Sequence, residues 1–231
     1  MITNLTNLFL SLIHPGDIVI DTGANIGYYA LQAARQVGKD GLVYAFEPDP
    51  DNFKALTENI DINSLTNVKA IQKAVSNRTG TTKLYKKDSQ SHSMCNHTVI
   101  PTRGSILVET IALDDSLYGC PASVRNKISL IKIDVEGAEP LVLEGLGEFL
   151  NSKNELTMIS ELIPNFYAAS KPSDYISQLR IFGFEISIIK EDGIIPLQDE
   201  LLPEIDGTRG VNLLCSKADS PLVASISAAS T

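Results

Sequence analysis

Cysteine is scarce in this sequence, with three residues among 231: Cys95, Cys120 and Cys215. Their odd number and wide spacing exclude a framework of paired disulfides as the main support of the fold. No CxxC motif and no cluster of His and Cys is present in the sequence, so the pattern typical of a structural zinc site is missing. We interpret the cysteines as ordinary reduced thiols of a cytoplasmic protein.

Basic residues are also few, because 19 Lys and Arg stand against 28 Asp and Glu, which gives a net charge of -9 and a pI of about 4.8. Binding to nucleic acid or to an anionic membrane requires clustered Lys and Arg. We therefore expect no nucleic-acid partner, although a local basic patch would not show in a count over the whole chain.

Long apolar runs are missing as well, and none approaches the roughly 20 residues that a membrane-spanning helix needs. The segment 1–13 is fairly apolar, but the first basic residue of the chain is Arg35. A signal peptide begins with a basic region, so this segment does not match one. We predict instead a short helix over 1–13 that lies on the domain or on its cofactor.

The sequence does contain enough apolar material for a sizeable core, since 43% of its residues are hydrophobic. Its length fits one α/β domain with extra segments, and we place that domain at 14–217. The residues of 218–231 are small and polar, which predicts a disordered tail.

Short β-branched runs alternate with helical patterns along the chain. This alternation predicts a doubly wound α/β fold, with a mostly parallel sheet and right-handed crossovers. The segment 86–104 is polar and has no periodicity, which predicts a loop that is either functional or disordered. The predicted strands are 18–20, 42–46, 68–75, 80–85, 106–111, 128–133, 156–162, 184–189 and 210–216, and the predicted helices are 25–37, 51–62, 139–150 and 173–182.

The first predicted strand ends in Asp21 and a turn with glycines four residues apart, Gly23 and Gly27. A dinucleotide fingerprint reads GxGxxG, and Asn25 stands where its second glycine would be. Asp21 would also repel phosphates. The turn therefore favours a ligand with a positive charge, and S-adenosylmethionine carries both an α-amino group and a sulfonium.

The second predicted strand ends in Glu47, 20 residues after Gly27. In an open α/β sheet, ligands bind beyond the carboxyl ends of the strands, and an acidic residue at this place can accept hydrogen bonds from both ribose hydroxyls. Glu47 and the turn before it thus predict one cofactor site at the same edge of the sheet.

Three motifs, VIDTGANIGYY at 19–29, VYAFEPDP at 43–50 and IKIDVEGAE at 131–139, resemble the FkbM family of class I methyltransferases. The resemblance covers about 16–163 and extends more weakly to 217. It implies a seven-stranded sheet in the order 3-2-1-4-5-7-6 with strand 7 antiparallel. It also implies O-methylation, typically of a hydroxyl on a sugar, a polyketide or a related small molecule, with S-adenosylmethionine as the methyl donor.

The same resemblance assigns residues to the parts of the cofactor. The first motif would line the methionine part, Glu47 would bind the ribose, and Lys73 and Ala74 would lie near the adenine. The residues so implied are Asp21, Gly23, Ala24, Asn25, Gly27, Glu47, Pro48, Asn52, Lys73 and Ala74.

A methyltransferase must align donor and acceptor and remove a proton from the acceptor hydroxyl. Asp134, Glu136 and Glu139 follow the strand of the third motif. Asp134 could hold the sulfonium or amino end of the cofactor, orient the acceptor or take its proton, and Glu136 could be the base or could orient the hydroxyl. Alternatively, Glu136 and Glu139 are first-turn acids that stabilise the helix dipole.

Further candidates lie in the neighbouring segments. Glu161 ends the next strand, as a second acceptor contact or as a structural hydrogen-bonding group. His92 and His97 are possible proton carriers in the 86–104 loop. Ser89, Ser91 and Ser93 could contact the cofactor carboxylate or the acceptor if this loop folds over the cleft.

Three alternatives remain open at this point. Asp134, Glu136 and Glu161 could hold a magnesium ion, which the resemblance does not require, and we predict no metal. An NAD-dependent oxidoreductase would share the sheet and Glu47, and a non-catalytic module would bind the cofactor without turnover. The acceptor pocket would be formed by the 86–104 loop, the N-terminal segment and 163–172, where sequence patterns are least informative. The oligomeric state is not predicted.

Overall fold

The computed structural model describes residues 5–87, 92–95, 102–164, 172–199 and 210–217. The described chain contains eleven strands. In chain order they are β1 Ile18–Thr22, β2 Leu42–Phe46, β3 Val68–Ile71, β4 Ala74–Val75, β5 Gly80–Lys87, β6 Thr102–Ile111, β7 Ile128–Ile133, β8 Thr157–Leu162, β9 Phe184–Lys190, β10 Gly193–Pro196 and β11 Val211–Lys217.

Eight helices connect or cover these strands in the described ranges. They are α1 Leu5–Ser11, α2 Tyr28–Val37, α3 Pro50–Ile62, α4 Leu113–Tyr118, α5 Ala122–Arg125, α6 Glu139–Glu144, α7 Gly147–Ser152 and α8 Pro172–Ile181. None of them is long and apolar enough to cross a bilayer.

The main sheet has the order β10-β9-β11-β8-β7-β1-β2-β3, and β11 runs antiparallel to both of its neighbours. Without β10, this is the predicted order 3-2-1-4-5-7-6 with an antiparallel seventh strand, so the predicted fold class is confirmed. The eighth strand β10 was not predicted. It forms a hairpin with β9 in which Lys190 pairs with Gly193, so the connection is a two-residue turn, Glu191-Asp192.

The predicted single strand 68–75 is wrong, because the chain turns within it. The amide of Lys73 donates to the carbonyl of Ile71, which closes a tight turn after β3. The next residues then form β4, which belongs to a second sheet of order β4-β6-β5. This small sheet stands next to the carboxyl edge of the main one and supplies part of the cleft described below.

The predicted helix 139–150 is also wrong, because it is two helices. A Cβ added at Gly145 would lie 2.1 Å from the carbonyl oxygen of Ser76, so the chain approaches another backbone closely there. Helix α7 then restarts with a cap from Asp114, whose carboxylate accepts from the amides of Glu148 and Phe149 at 2.8 and 2.9 Å. These tertiary contacts break a helical pattern that looked continuous in sequence.

Apolar side chains form a core on each face of the main sheet. On one face, α1 packs on α2 through Phe9 and Tyr29, whose ring centroids lie 5.0 Å apart. Strand residues alternate between the faces, and those on the α1–α2 face include Val19, Leu130 and Ile159. The same alternation places Asp21, Lys132 and Glu161 on that face, at its carboxyl end. The predicted tail 218–231 lies outside the described residues.

Candidate active site

A cleft opens at the carboxyl ends of β1, β2 and β7 and encloses about 620 Å³ of space not filled by atoms. This is the edge of an open α/β sheet where ligands bind. Its lining brings together most of the residues that the sequence singled out and adds several apolar ones. The lining residues are Gly23, Asn25, Phe46, Glu47, Pro48, Asn52, Ala74, Val75, Leu84, His92, Met94, Asp134, Val135 and Glu136.

The turn after β1 is fixed against its neighbours by its backbone. The amides of Gly23 and Ala24 both donate to the carbonyl of Phe46, at 3.0 and 2.9 Å. A Cβ added at Gly23 would lie 1.9 Å from the carbonyl oxygen of Asp134, so only glycine fits between these strand ends. Asn25 and Gly27 both have positive φ, 51° and 97°, and helix α2 therefore begins at Tyr28 rather than at 25.

Glu47 connects two loops at the mouth of the cleft. One carboxylate oxygen accepts from the amide of Asn25 at 2.8 Å, and the other accepts from the amide of Asp49 at 2.9 Å. Glu47 is only 4% exposed, and burial raises its pKa to about 7. The predicted contact with ribose hydroxyls would therefore add to a carboxylate that is already held in place.

Asp49 starts helix α3, and its carboxylate lies close to Lys86 of the small sheet and to His92. Its carboxylate accepts from the amides of Asp51 and Asn52. Lys86 Nζ lies 3.0 Å from Asp49 Oδ2, and His92 Nε2 lies 3.7 Å from the same oxygen. His92, proposed from sequence as a proton carrier, thus stands at the Glu47 end of the cleft.

Behind the turn, Asp21 is almost completely buried, with 1% of its surface exposed. Among the residues that the structure describes, none makes a hydrogen bond of ordinary geometry to either of its carboxylate oxygens, although the amide of Ala30 is near enough to lower its pKa. Burial raises its pKa to about 6, although Lys132 Nζ, 4.0 Å away, acts in the opposite direction. Asp21, Ala24 and Gly27 do not line the cleft but support the turn that does. An orphaned buried carboxylate beside this turn fits a cofactor with a positively charged amino group and sulfonium.

Lys132 was not singled out from the sequence. It lies in β7 with a side chain only 5% exposed, and its Nζ is 2.7 Å from Asp134 Oδ2 and 4.7 Å from the ring centroid of Tyr29. A signal was present, because Lys132 is the only charged residue in the strand ISLIKI. Charged side chains are almost never fully buried unless they are paired.

The predicted acidic group is partly brought together. Asp134 and Glu136 line the cleft, and Glu161 lies beside Asp134 on the neighbouring strand, one position beyond the pair Ile133 and Ser160. Burial, and then the charge of Asp134, raise the pKa of Glu161 to about 8. Glu136 has a φ of 56°, the left-handed conformation that non-glycine residues rarely adopt. Such conformations persist where the surrounding structure enforces them, often at functional sites.

Glu139 follows the structural alternative. It is 2% exposed, and its Oε1 accepts from the amides of Val135 and Gly137 at 3.3 and 3.1 Å. It therefore holds the turn that carries Glu136. The backbone of that turn also receives Ser93, whose Oγ donates to the carbonyl of Glu136 at 2.6 Å.

Of the two residues predicted to lie near the adenine, the structure places one on the cleft lining and the other away from it. Ala74 lines the cleft, whereas Lys73 does not and instead pairs with Glu109 at 2.9 Å. Apolar side chains that the sequence did not indicate, Leu84 and Met94 among them, form this wall of the cleft. Ser89, Ser91 and His97 lie outside the described residues. Within the described ranges, no group of three or more His, Cys, Asp or Glu side chains is placed to hold a metal ion.

This sheet order, with a glycine turn after β1, an acid after β2 and an acidic group after β7, defines a class I S-adenosylmethionine-dependent methyltransferase. The sequence profile described as "Methyltransferase FkbM domain" matches residues 21–186. The chain belongs to this family, and S-adenosylmethionine is its cofactor. The predicted family and cofactor are thereby confirmed, and the alternative of an NAD-dependent oxidoreductase is set aside.

Individual proteins resemble the chain at moderate identity. The hexuronic acid methyltransferase AglP of Haloferax volcanii is 29% identical over 171 residues, which cover 74% of this chain and 64% of that protein. Methyltransferase sdnD of Sordaria araneosa is 31% identical over 161 residues, which cover 56% and 60%. The chain thus spans about three fifths of the length of these relatives.

A crystal structure shows the same fold at lower identity. Methyltransferase FkbM from Methylobacillus flagellatus is 13% identical, with a TM-score of 0.52 over 90% of this chain and 49% of that one. The likeness extends well beyond the three sequence motifs. The fold alone does not identify an acceptor, so the absence of a nucleic-acid partner stays a prediction.

Proposed function

We propose that this protein transfers a methyl group to a hydroxyl of a small molecule, of the sugar, glycan or polyketide type. The observation that carries the proposal is the set of carboxyls at one end of the cleft, Asp134 and Glu136 on its lining and Glu161 behind them. A hydroxyl needs a proton acceptor for methyl transfer, and these carboxyls supply one. The resemblance to a hexuronic acid methyltransferase supports a sugar hydroxyl as the acceptor.

Within this proposal the cleft divides into three parts. Glu47, with Pro48 and Asn52 beside it, would bind the ribose, and Ala74 with its apolar neighbours would bind the adenine. The turn of Gly23 to Gly27, together with Asp21 and Asp134, would hold the methionine end. When bound, S-adenosylmethionine supplies a methyl group that is already activated by its sulfonium.

The remaining step, removal of the proton from the acceptor hydroxyl, would be carried out by the carboxyls. Asp134 and Glu136 are the candidate bases, because both face the cleft that must also admit the acceptor. Glu161, with a pKa of about 8, holds a proton at neutral pH and is better suited to donate a hydrogen bond. The acceptor hydroxyl would release its proton to Asp134 or Glu136 as its oxygen forms the new bond to carbon.

The test is methylation by the purified protein of a panel containing uronic acids, neutral sugars and hydroxylated polyketides, with a short RNA and an amine as comparison acceptors. Mass spectrometry should show one added methyl group on a hydroxyl, with matching formation of S-adenosylhomocysteine. Methylation of the RNA or of nitrogen would overturn the proposal. Tight S-adenosylhomocysteine binding without any product across the panel would favour the non-catalytic module.

A further inference from the structure

Four ionisable side chains at the ends of three adjacent strands form a row beneath helix α2, in which Asp21 and Lys132 are buried and Asp134 and Glu161 are partly exposed. Asp21 on β1 and Lys132 on β7 are direct partners in the sheet register. Lys132 Nζ lies 4.0 Å from Asp21 Oδ1 and 2.7 Å from Asp134 Oδ2. Ile133 pairs with Ser160 in the register of β7 and β8, so Asp134 and Glu161 are the next residues on these two neighbouring segments. The row therefore reads acid, base, acid, acid across the sheet.

The pair at the end of the row must hold a proton. Burial and the charge of Asp134 raise the pKa of Glu161 to about 8, so at neutral pH these two neighbouring carboxyls hold a proton between them. A hydrogen bond between two carboxyls also requires that one of them be protonated. Two negative charges on neighbouring carboxyls also repel each other, which disfavours the ionisation of both, as in paired carboxylates generally. The question is which of the two carboxyls keeps the proton.

The position of Lys132 determines which of the two carboxyls keeps the proton. Its buried ammonium contacts the partly exposed carboxylate of Asp134 at 2.7 Å, and a buried charge is tolerated when it is paired. Burial alone lowers the pKa of Lys132, but Asp134 and Asp21 outweigh that effect, so its pKa is raised and the lysine stays charged. The face of Tyr29 covers Nζ at 4.7 Å from the ring centroid, which supports the positive charge.

We propose that Lys132 is a positioning residue that keeps Asp134 ionised and leaves the shared proton on Glu161. Asp134 then presents a negative charge to the cleft, and Glu161 fixes its orientation as a hydrogen-bond donor. The meaning of this arrangement for proton transfer rests on the proposed function, but the charge arrangement itself belongs to the protein without acceptor. The ionisable groups that bear on it are Asp21 from β1, Tyr29 from α2, Asp134 and Glu136 after β7, and Glu161 from β8.

The charge arrangement can be measured by infrared spectroscopy, since a protonated carboxyl absorbs apart from a carboxylate. At neutral pH the wild type should show a protonated-carboxyl band, to which Glu47 also contributes, and Glu161→Gln should remove the larger part of it. Lys132→Met should enlarge the band, because Asp134 and Asp21 lose their neighbouring cation and take up protons. The midpoint at which the band disappears should move to higher pH.

Lys217→Met is the matched control. Lys217 is also buried, at 8% exposure, but its Nζ donates to the carbonyl of Leu150, away from the cleft. Its replacement should leave the band unchanged. The proposal is overturned if Glu161→Gln leaves the wild-type band intact, which requires no lysine variant to fold. It is also overturned if folded Lys132→Met, checked by circular dichroism, keeps the wild-type band and midpoint.

Once an acceptor is known, steady-state kinetics distinguish a positioning role of Lys132 from a merely structural one. Lys132→Met should lower kcat at least roughly tenfold, part of the roughly 10²–10⁴ that general base catalysis contributes, with a smaller change in the acceptor KM. Its rate should recover as pH is raised, because Asp134 ionises there without the lysine. If no acceptor is methylated, the proposed function fails while the infrared result still decides the role of Lys132.

Discussion

A buried acid marks each end of the cleft, Glu47 on its lining and Asp21 behind the turn that lines it, and the two acids have different surroundings. Glu47 receives one backbone amide on each carboxylate oxygen. Asp21 receives no hydrogen bond of ordinary geometry from the described residues; the amide of Ala30 is nearby, and a lysine ammonium lies 4.0 Å away. Burial raises the pKa of both, to about 7 for Glu47 and about 6 for Asp21.

This difference separates a preformed part of the site from an incomplete one. Glu47 already ties two loops together, so a ribose would find its partner in place. A buried polar group without hydrogen bonds costs roughly 1–3 kcal/mol. The ammonium of Lys132, 4.0 Å away, offsets part of this cost for Asp21, and a closer donor or cation would offset more. We therefore expect the electrostatic part of cofactor affinity to concentrate at the Asp21 end.

The largest expected effect is on cofactor binding by Asp21→Ala. Removing the carboxylate should abolish S-adenosylhomocysteine binding in isothermal titration calorimetry, because the amino group loses its anionic partner. Asp115→Ala, which alters an exposed acid away from the cleft, is the control and should bind normally. Near-normal binding by folded Asp21→Ala would show that the two ends do not differ as argued.

The next effect separates binding from turnover. Glu136→Gln should keep cofactor affinity and lower kcat by roughly 10²–10⁴, the range of a general base. Steady-state kinetics with calorimetry on the same preparations would measure both quantities. Glu109→Gln, an exposed acid on β6, is the control. Normal turnover by Glu136→Gln would leave Asp134 as the base.

A third prediction uses pH to test the incomplete end. The folded-state pKa of Asp21, about 6, lies above its ordinary value of 3.8, so the folded protein binds this proton more tightly than the unfolded chain. The resulting stabilisation is complete below about pH 3.8 and is lost as pH rises through about 6. At 1.36 kcal/mol per unit, the loss is of the order of 3 kcal/mol.

Comparison of the wild type with Asp21→Asn in urea unfolding at several pH values isolates this term. The free energy of unfolding of the wild type should fall relative to the variant across the stated range, and S-adenosylhomocysteine should oppose the fall as Asp21 ionises. Parallel pH curves for the two proteins would contradict the raised pKa.

Sequence reasoning reached the fold because its signals are local. Each buried strand is a short apolar run, and the turn after β1 needs glycine where Gly23 meets the Asp134 carbonyl. The same signals placed Glu47 and Asp134 at strand ends, where the topology brings them to one cleft. Local patterns were sufficient wherever the strand end itself positions the side chain.

Long-range contacts set the features that the sequence did not indicate. The break between α6 and α7 comes from Ser76 approaching Gly145, and the role of Lys132 comes from partners on two other elements. The role of a lysine in an apolar strand can be inferred only when the residues that it contacts in the folded structure are known. The apolar cleft wall at Leu84 and Met94 likewise depends on how the small sheet docks.

The smallest expected effect concerns the link between the two ends. Ser93 is fully buried, and its hydroxyl joins the segment carrying His92 and Met94 to the carbonyl of Glu136. Ser93→Ala should lower the unfolding free energy by about 1 kcal/mol, the usual net value of one hydrogen bond. It should also lower kcat more than cofactor affinity, because the released carbonyl no longer holds Glu136 in its left-handed conformation. Ser105→Ala, at an exposed position of β6, is the control. Equal losses of kcat in the two variants would show that Ser93 does not couple the cofactor end to the acceptor end.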